Sequence, residues 1–329
     1  MKTLERVVFA AGLVAFAILL WTMDAAAAAR LVLDVGVGGI ALILSQEVIA
    51  HVLNAAGWRL AFPATEAAAV RFRDLFKLRV VGDAVNYLTP SATIAGEFTR
   101  ATMLSGPRGP SVRAAAVLVA KCTQTLAQVL FVVIGLVVVT GAHLPFVRSY
   151  EGLVYWIAVV VAAALVAVAV YELRIALPPP APAGGPTSMG PRALAGWLRH
   201  FFRLHPGRFS ASTLLFMLGY AWGGFEAYWI CRFLGVHASV GTAMTIEVLS
   251  VTLDSLLFIV PAKMGIQEGG KTAIFAALGL PATSGLAFGV VRHLRELIWA
   301  GSGLLIYSVS RRPPADPRPA VDSSVSLPL

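Results

Sequence analysis

The sequence contains few charged residues and almost no cysteine. Charged residues make up 13% of its 329 residues and apolar residues 58%, and the mean hydropathy is +0.78. Because a soluble domain carries about 25% charged residues, this composition excludes an ordinary soluble enzyme and predicts a membrane protein. Cys122 and Cys231 both fall in apolar runs. They exclude a disulfide framework and a cysteine-based zinc site, and they favour ordinary packing.

Motifs of several functional classes are also missing. The chain has no phosphate-binding glycine loop, no nucleophile elbow and no histidines at metal-ligand spacing. Its net charge is +9, but most basic residues lie in short loops between apolar runs and do not form a nucleic-acid patch. We therefore expect no catalytic residue, no metal, no cofactor and no nucleic-acid partner.

Apolar runs dominate the chain and predict an all-α integral membrane protein. A spanning helix needs about 20 residues, and six runs approach or exceed that length. The first run has an alternative interpretation, because residues 1–28 also resemble a cleaved signal peptide. The expected spans are 7–21, 31–56, 111–141, 152–173, 209–234 and 285–309.

Two similar motifs lie 171 residues apart. The first is GDAVNYLTPSATIAGEFTR at 82–100, and the second is LDSLLFIVPAKMGIQEGGK at 253–271. A constant offset without gaps predicts an internal repeat, with repeat one at 31–141 and repeat two at 202–312. The matched pairs are Asp83 and Asp254, Pro90 and Pro261, Glu97 and Glu268, Arg100 and Lys271, Pro110 and Pro281, and Lys121 and Arg292.

Each motif interrupts an apolar run with helix-breaking residues, which predicts a re-entrant helical hairpin. Proline removes a backbone donor and glycine allows a tight turn. Such backbone is tolerated at membrane depth only inside protein or along a wet cavity. The residues expected at the hairpin tips are Pro90, Gly96, Pro261, Gly265 and Gly269.

The basic residues predict the orientation of the chain. With the amino terminus inside, the inner segments hold 17 of the 26 basic residues, whereas the outer loops hold only Arg30, Arg148 and Arg232. The positive-inside rule then places both termini in the cytoplasm. Three spans separate the two hairpins, so the hairpins would enter from opposite faces as an inverted repeat. We expect one polytopic domain at 1–312, a disordered cytoplasmic tail at 313–329, and either a surface helix or a solvated loop at 58–79.

Ten ionisable residues fall in the hairpins and the spans that follow them. Buried charge is costly unless it is paired or hydrated. One interpretation is mutual neutralisation, with Glu97 paired to Lys121 and Glu268 to Arg292. The other is a midplane cavity whose bases receive a phosphate or carboxylate headgroup, while the acids hold those bases or carry a coupling proton. The candidate translocation residues are Asp83, Glu97, Arg100, Lys121, Asp254, Glu268, Lys271, Arg292, Arg295 and Glu296.

These motifs resemble the membrane region of the lysylphosphatidylglycerol synthases, including stand-alone flippase-like members. The resemblance lies in VNYLTPSATIAGEFTRATML (85–104), TQTLAQVLFVVIGL (123–136), VPAKMGIQEGG (260–270), ALGLP (277–281) and VVRHLRELIWAGSGLL (290–305). It is closest to the hopanoid-biosynthesis-associated membrane protein branch, from which the sequence departs at Lys263. The resemblance implies a multi-pass protein of the bacterial inner membrane that moves lipids between leaflets. Full-length synthases attach a soluble aminoacyl-transferase domain, which this sequence lacks. The resemblance therefore implies no transferase activity.

Three functional hypotheses follow for this chain. The first is a lipid flippase for a hopanoid or another polar-headed lipid. The second is a non-transporting accessory protein that scaffolds lipid-biosynthesis enzymes, and the third is an intramembrane enzyme acting on lipid headgroups. The inverted repeat favours transport, because a scaffold needs no such symmetry. The expected partners are membrane lipids, and lipid-biosynthesis enzymes in the second hypothesis.

Overall fold

A computed structural model describes residues 25–89, 94–104, 110–141, 199, 201–256 and 265–310. None of these residues lies in a β-strand. The expected spans 7–21 and 152–173 and the expected tail 313–329 lie outside the described residues. The helices are α1 (Ala25–Leu60), α2 (Ala64–Ala69), α3 (Phe72–Leu88), α4 (Ile94–Met103), α5 (Pro110–Gly141), α6 (Pro206–Phe233), α7 (Val240–Leu256), α8 (Ile266–Ala277) and α9 (Ala282–Ser310).

Four of these helices have the length of membrane spans. Helices α1, α5, α6 and α9 contain 36, 32, 28 and 29 residues, and each is longer than the roughly 20 residues that cross a bilayer. Two segments, Ala29–Leu60 and Ala115–Val139, are also apolar enough to cross a membrane by composition. Helices α6 and α9 cover the expected spans 209–234 and 285–309, and both carry charged residues in their middle.

Each predicted hairpin region contains a pair of packed helices. Helix α3 packs against α4 in repeat one, and α7 packs against α8 in repeat two. The segment between α3 and α4 includes Pro90, and the segment between α7 and α8 includes Pro261. Both prolines lie outside the described residues, so their predicted role at the tips stays a prediction. The helices on either side place the charged residues of the two motifs, as described below.

Helices α1 and α6 pack along each other in opposite directions. Near the end of α1, the Phe62 carbonyl accepts a hydrogen bond from Arg208 Nε at 2.8 Å. In the middle of α1, the Gln46 carbonyl accepts one from Trp222 Nε1 at 3.0 Å. Residue numbers therefore fall along α1 as they rise along α6. The 171-residue offset relates the same two helices, so this pair of equivalent helices is antiparallel.

The contacts of one half recur in the other half. Helix α3 packs on α9, and its equivalent α7 packs on α5; helix α1 packs on α9 and α3, and its equivalent α6 packs on α5 and α7. Between α5 and α7, Gln128 Nε2 donates to Ser255 Oγ at 2.8 Å. Between α3 and α9, Gly303 lies against the Val80 carbonyl, where a side chain at position 303 would not fit. Helices related by the offset thus make equivalent contacts.

Apolar clusters lie on both sides of the charged residues of α1. One cluster includes Ile43 with Phe275 and Phe288, and the other includes Trp58 with Phe216. Glu47 and His51 lie between these clusters along α1. Large apolar side chains also face outward on the long helices, which is typical of a surface that contacts another apolar phase. They include Leu33, Val37, Ile134, Val137, Val138, Leu304, Leu305 and Val309.

The basic stretch 58–79 is neither a solvated loop nor a single surface helix. It contains the end of α1, all of α2 and the first half of α3. Trp58, Leu75 and Arg79 are buried, whereas Arg71 and Lys77 are exposed. Only the exposed part of the stretch can therefore face headgroups or water. Arg79 lies in the interior with the buried apolar residues.

Candidate functional site

The first charge cluster is built from α3, α4 and α5. Arg100 donates to Asp83 Oδ1 at 2.6 Å and to Glu97 Oε1 at 2.7 Å. Arg79 donates to Asp83 Oδ2 at 2.8 Å. Lys121 Nζ on α5 lies 3.7 Å from Glu97 Oε1, which is the pair predicted from the sequence. Asp83 and Glu97 thus each contact two basic side chains across different helices.

A close approach of α4 to α3 makes the first cluster possible. Gly82 lies against the Arg100 guanidinium, where a Cβ would overlap it. Gly96 lies against the Gly82 carbonyl and donates its backbone N–H to Asn86 Oδ1 at 2.7 Å. Gly96 therefore lies inside α4 and allows helix contact, and its predicted role at a turn is wrong.

The second hairpin repeats one ion pair of the first. Lys271 Nζ lies 3.4 Å from Asp254 Oδ1, at the positions equivalent to Arg100 and Asp83. Lys271 is fully buried, so this pair places a lysine charge in the protein interior. The offset between the motifs therefore relates contacts as well as residue types.

The glutamate of the second hairpin has a different partner from the predicted one. Glu268 Oε1 lies 2.9 Å from His293 Nδ1, whereas we expected Glu268 to pair with Arg292. Arg292 contacts Glu247 closely and lies 3.7 Å from Glu226 Oε1. The reason is the position of α6 and α7, which present these two carboxylates to the guanidinium.

The predicted tips of the second hairpin have two different roles. Gly265 has a φ of 74° and precedes the first residue of α8. This left-handed conformation favours glycine, as expected for a tight turn. Gly269 instead lies inside α8 with nothing within 4 Å of a Cβ built on it. The prediction of a tip role is therefore wrong for Gly269.

Arg295 joins the two halves of the molecule. Its Nη1 lies 2.8 Å from Glu47 Oε2 on α1 and also contacts Glu226 on α6 closely. Glu296, the next residue of α9, accepts a hydrogen bond from Gln267 Nε2 on α8 at 2.8 Å. Because Glu47 belongs to repeat one and Arg295 to repeat two, an ion pair crosses the boundary between the repeats.

A cavity of about 320 Å³ lies where these charges meet. Helices α1, α3, α5, α6, α7 and α9 all contribute to its wall, so it belongs to both repeats. A smaller cavity of about 170 Å³ adjoins it, with Tyr87, Trp299 and Ala300 among its lining residues. The charged side chains of the larger wall are Glu47, His51, Arg79, Asp83, Glu226, Glu247, Asp254, Arg292, Arg295 and Glu296.

The structure brings only some of the predicted residues to the cavity. Asp83, Asp254, Arg292, Arg295 and Glu296 line it. The other predicted residues contribute to the charge clusters behind that wall. They are Glu97, Arg100, Lys121, Glu268 and Lys271.

Five residues of the site were missing from the sequence prediction. Glu47, His51 and Glu226 are ionisable residues inside apolar runs, which is a signal that could have found them. Arg79 was assigned to the headgroup surface with its basic neighbours. Glu247 lies on α7, six residues before the second motif, and has a phenylalanine at the equivalent position of repeat one, so the repeat did not reveal it.

The arrangement can bind ions or polar groups but shows no metal centre. Among the described residues, no group of three or more His, Cys, Asp or Glu side chains could hold a metal ion. The guanidinium groups offer paired donors that suit phosphate or carboxylate. Several carboxylates that contact these guanidinium groups belong to other helices. An anionic ligand could therefore compete with those carboxylates for the guanidinium groups.

Comparison with known proteins gives one match. A family model described as Lysylphosphatidylglycerol synthase TM region matches residues 6–302. No curated protein and no solved structure matches the chain.

Proposed function

The chain belongs to the lysylphosphatidylglycerol synthase transmembrane-region family, and we propose that it moves a lipid between the two leaflets of a membrane. Membership of this family makes it a membrane protein related to lipids. The apolar segments of α1 and α5 agree with that assignment. The movement of lipid is our proposal, and its support comes from the geometry of the charged cavity.

The observation that carries the proposal is the charged cavity at the boundary of the two repeats. A lipid headgroup that crosses a bilayer needs a polar environment at a depth where the surrounding phase is apolar. The cavity of about 320 Å³ offers carboxylates and guanidinium groups from both halves. Large apolar side chains outside it would remain in contact with the lipid tails.

The ion pairs across the repeat boundary would act as a gate. Arg295 binds Glu47 of repeat one and Glu226 of repeat two. A headgroup that takes the guanidinium away from Glu47 would loosen one half from the other. We propose that the ten predicted charged residues form the translocation site, together with the five residues that the structure adds.

Alternating access would come from an inverted repeat with two re-entrant hairpins and about six spans. Such repeats, with sites at their interface, are common in secondary transporters. Two observations support this architecture here: the antiparallel packing of α1 and α6, and the equivalent contacts of α3 with α9 and of α7 with α5. We propose a single polytopic domain over residues 1–312.

The substrate and location that we propose follow the resemblance of the motifs. We propose a hopanoid or another polar-headed lipid as the substrate, the bacterial inner membrane as the location, and cytoplasmic termini. Lipid-biosynthesis enzymes are the proposed protein partners. Labelling of single introduced cysteines from each side of the membrane would test the orientation, and lipid analysis of the two leaflets in a deletion strain would test the substrate.

A lipid-movement assay tests the proposed function. Purified protein is placed in vesicles with fluorescent lipids, and the fraction of label that an external quencher can reach is followed with time. We expect the wild type to exceed empty vesicles, and both Glu47→Gln and Arg295→Gln to fall toward empty vesicles. Asp34→Asn is the matched control, because Asp34 is an exposed acid on the same helix as Glu47.

The contrary result is equally specific. If the wild type moves lipid no faster than empty vesicles, the flippase proposal fails and an accessory role becomes the better explanation. Size-exclusion profiles and thermal unfolding of each variant separate loss of function from loss of fold. A variant that is folded and inactive supports a role in translocation, whereas one that is folded and fully active removes that residue from the site.

A further inference from the structure

His51 lies in the wall of both cavities and has no partner that satisfies it. Its side chain is 5% exposed. Its Nε2 lies 3.8 Å from Glu47 Oε1, and its Nδ1 lies 3.6 Å from Asp83 Oδ2. Within the described part of the chain, neither nitrogen has a hydrogen-bond partner. Two ring nitrogens therefore face two carboxylates without binding either one.

The chemistry of imidazole makes this arrangement informative. A neutral imidazole has one N–H donor and one acceptor nitrogen, whereas an imidazolium has two donors. A neutral ring between Glu47 and Asp83 must turn a lone pair toward one of two carboxylates. A protonated ring would instead offer an N–H to each carboxylate.

The distances are long because arginines already hold both carboxylates. Arg295 Nη1 lies 2.8 Å from Glu47 Oε2 as an ion pair. Asp83 accepts from Arg79 at 2.8 Å and from Arg100 at 2.6 Å. In this arrangement, a protonated His51 would have to share each neighbouring carboxylate with an arginine that already contacts it.

The surroundings of His51 come from six helices, its own included. The aromatic rings of Trp299 and Phe76 also contact it, at centroid distances of 4.8 Å and 6.1 Å. Helix α5 contributes the neutral Gln124, which accepts from Arg79 at 3.3 Å. The charged groups around it are Glu47 on α1, Arg79 and Asp83 on α3, Arg100 on α4, Glu226 on α6, and Arg295 and Glu296 on α9.

We propose that His51 takes up a proton from water when an anionic headgroup enters the cavity. The proposal rests on the lipid transport proposed above. Arg79 and Arg295 line the larger cavity, and their guanidinium groups can bind a phosphate by paired hydrogen bonds. As they move toward the phosphate, Glu47 and Asp83 lose a partner each. The imidazolium of His51 then donates one N–H to each carboxylate and replaces the lost positive charge.

This exchange keeps the buried charge constant. A phosphate diester carries one negative charge, and the proton adds one positive charge to the same site. Buried charge that is not compensated is expensive, so binding of the anion and the proton should be linked. Lipid movement would then depend on pH and respond to a pH difference across the membrane.

Proton uptake on lipid binding tests the inference. The full chain is kept in detergent with a pH-sensitive dye and very little buffer, and short-chain phosphatidylglycerol is added while calorimetry measures binding. We expect uptake of about one proton for each lipid bound, because one histidine is protonated. His51→Gln should bind lipid with little or no proton uptake. His237→Gln, which changes an exposed histidine, should behave as the wild type.

Each other outcome decides between specific alternatives. Wild-type protein that binds the anionic lipid without proton uptake overturns the inference and leaves lipid transport standing. Proton uptake that persists in folded His51→Gln, or in His51→Asn if the first variant does not fold, also overturns it. If inorganic phosphate alone gives the same binding and uptake, the proton step is supported and the ligand is a free anion. Absence of binding and of lipid movement in the wild type overturns both proposals.

Discussion

Removal of Arg295 should destabilise the protein more than removal of Glu226, although the two residues contact each other closely. Arg295 is the closest cationic partner of Glu47, at 2.8 Å, and it also contacts Glu226. In Arg295→Gln, Glu226 keeps Arg292 at 3.7 Å, and Glu47 keeps only His51 at 3.8 Å. Two acids, of which Glu226 is buried, then lack a cation within hydrogen-bond distance.

In Glu226→Gln, the remaining charged residues of the site keep more of their partners than in Arg295→Gln. Arg292 retains its close contact with Glu247 and its hydrogen bond to the Gly223 carbonyl at 3.2 Å. Arg295 retains Glu47. Breaking a buried pair by removing one partner costs about 3–5 kcal/mol, which we assign to Arg295→Gln. Loss of a charged acceptor whose donors keep other partners should cost about 1–3 kcal/mol, which we assign to Glu226→Gln.

Unfolding of the purified variants in detergent checks this order. The free energy of unfolding is measured by reversible titration with a denaturing detergent, followed by tryptophan fluorescence. Arg71→Gln is the control, because Arg71 is exposed and a surface change of this kind should stay within about 0.5 kcal/mol of the wild type. Equal losses for Arg295→Gln and Glu226→Gln, or a larger loss for the latter, would refute the assignment of partners.

Three further predictions concern glycines, and the same unfolding assay checks each. Gly96→Ala should cost about 1–3 kcal/mol, as overpacking does, because its Cβ would overlap the Gly82 carbonyl and the Asn86 amide; an unchanged unfolding midpoint would show that α3 and α4 separate easily. Gly269→Ala should stabilise by up to about 1 kcal/mol, the usual gain at an unhindered helix position, since its Cβ would meet nothing within 4 Å; a loss would contradict that open environment. Gly265→Ala should cost about 1–2 kcal/mol, because φ is 74° there and this left-handed region is unfavourable for residues that carry a Cβ. A neutral result would mean that the turn can adopt another conformation.

The repeat was readable from the sequence because its charged residues and prolines keep a constant offset. The offset matches Asp83 with Asp254 and Arg100 with Lys271, and the structure pairs the acid with the base within each motif. It failed for Glu268, whose partner is His293. Symmetry in sequence predicts contacts inside a hairpin, where both partners belong to the same motif.

Contacts between helices that do not belong to the same hairpin could not be predicted in this way. Glu226 and Glu247 come from helices whose equivalents in repeat one carry Ala55 and Phe76 at those positions. Their pairing with α9 depends on how whole helices cross, which residue spacing does not encode. Arg79 was placed on the surface for a similar reason, because the rotation of α3 that buries it is decided by packing against other helices.

Gly36 divides α1 into two straight segments. Its φ of 65° and ψ of 174° interrupt an otherwise continuous helix. The portion from Val37 to Leu60 is about 36 Å long at 1.5 Å per residue, so it matches a hydrocarbon layer of about 30 Å with a modest tilt. The preceding portion carries exposed Arg30 and Asp34 and can bend away along the headgroups. Asp34, which lies in the expected span 31–56, would then need no buried counterion, because that portion of α1 would lie at the headgroups.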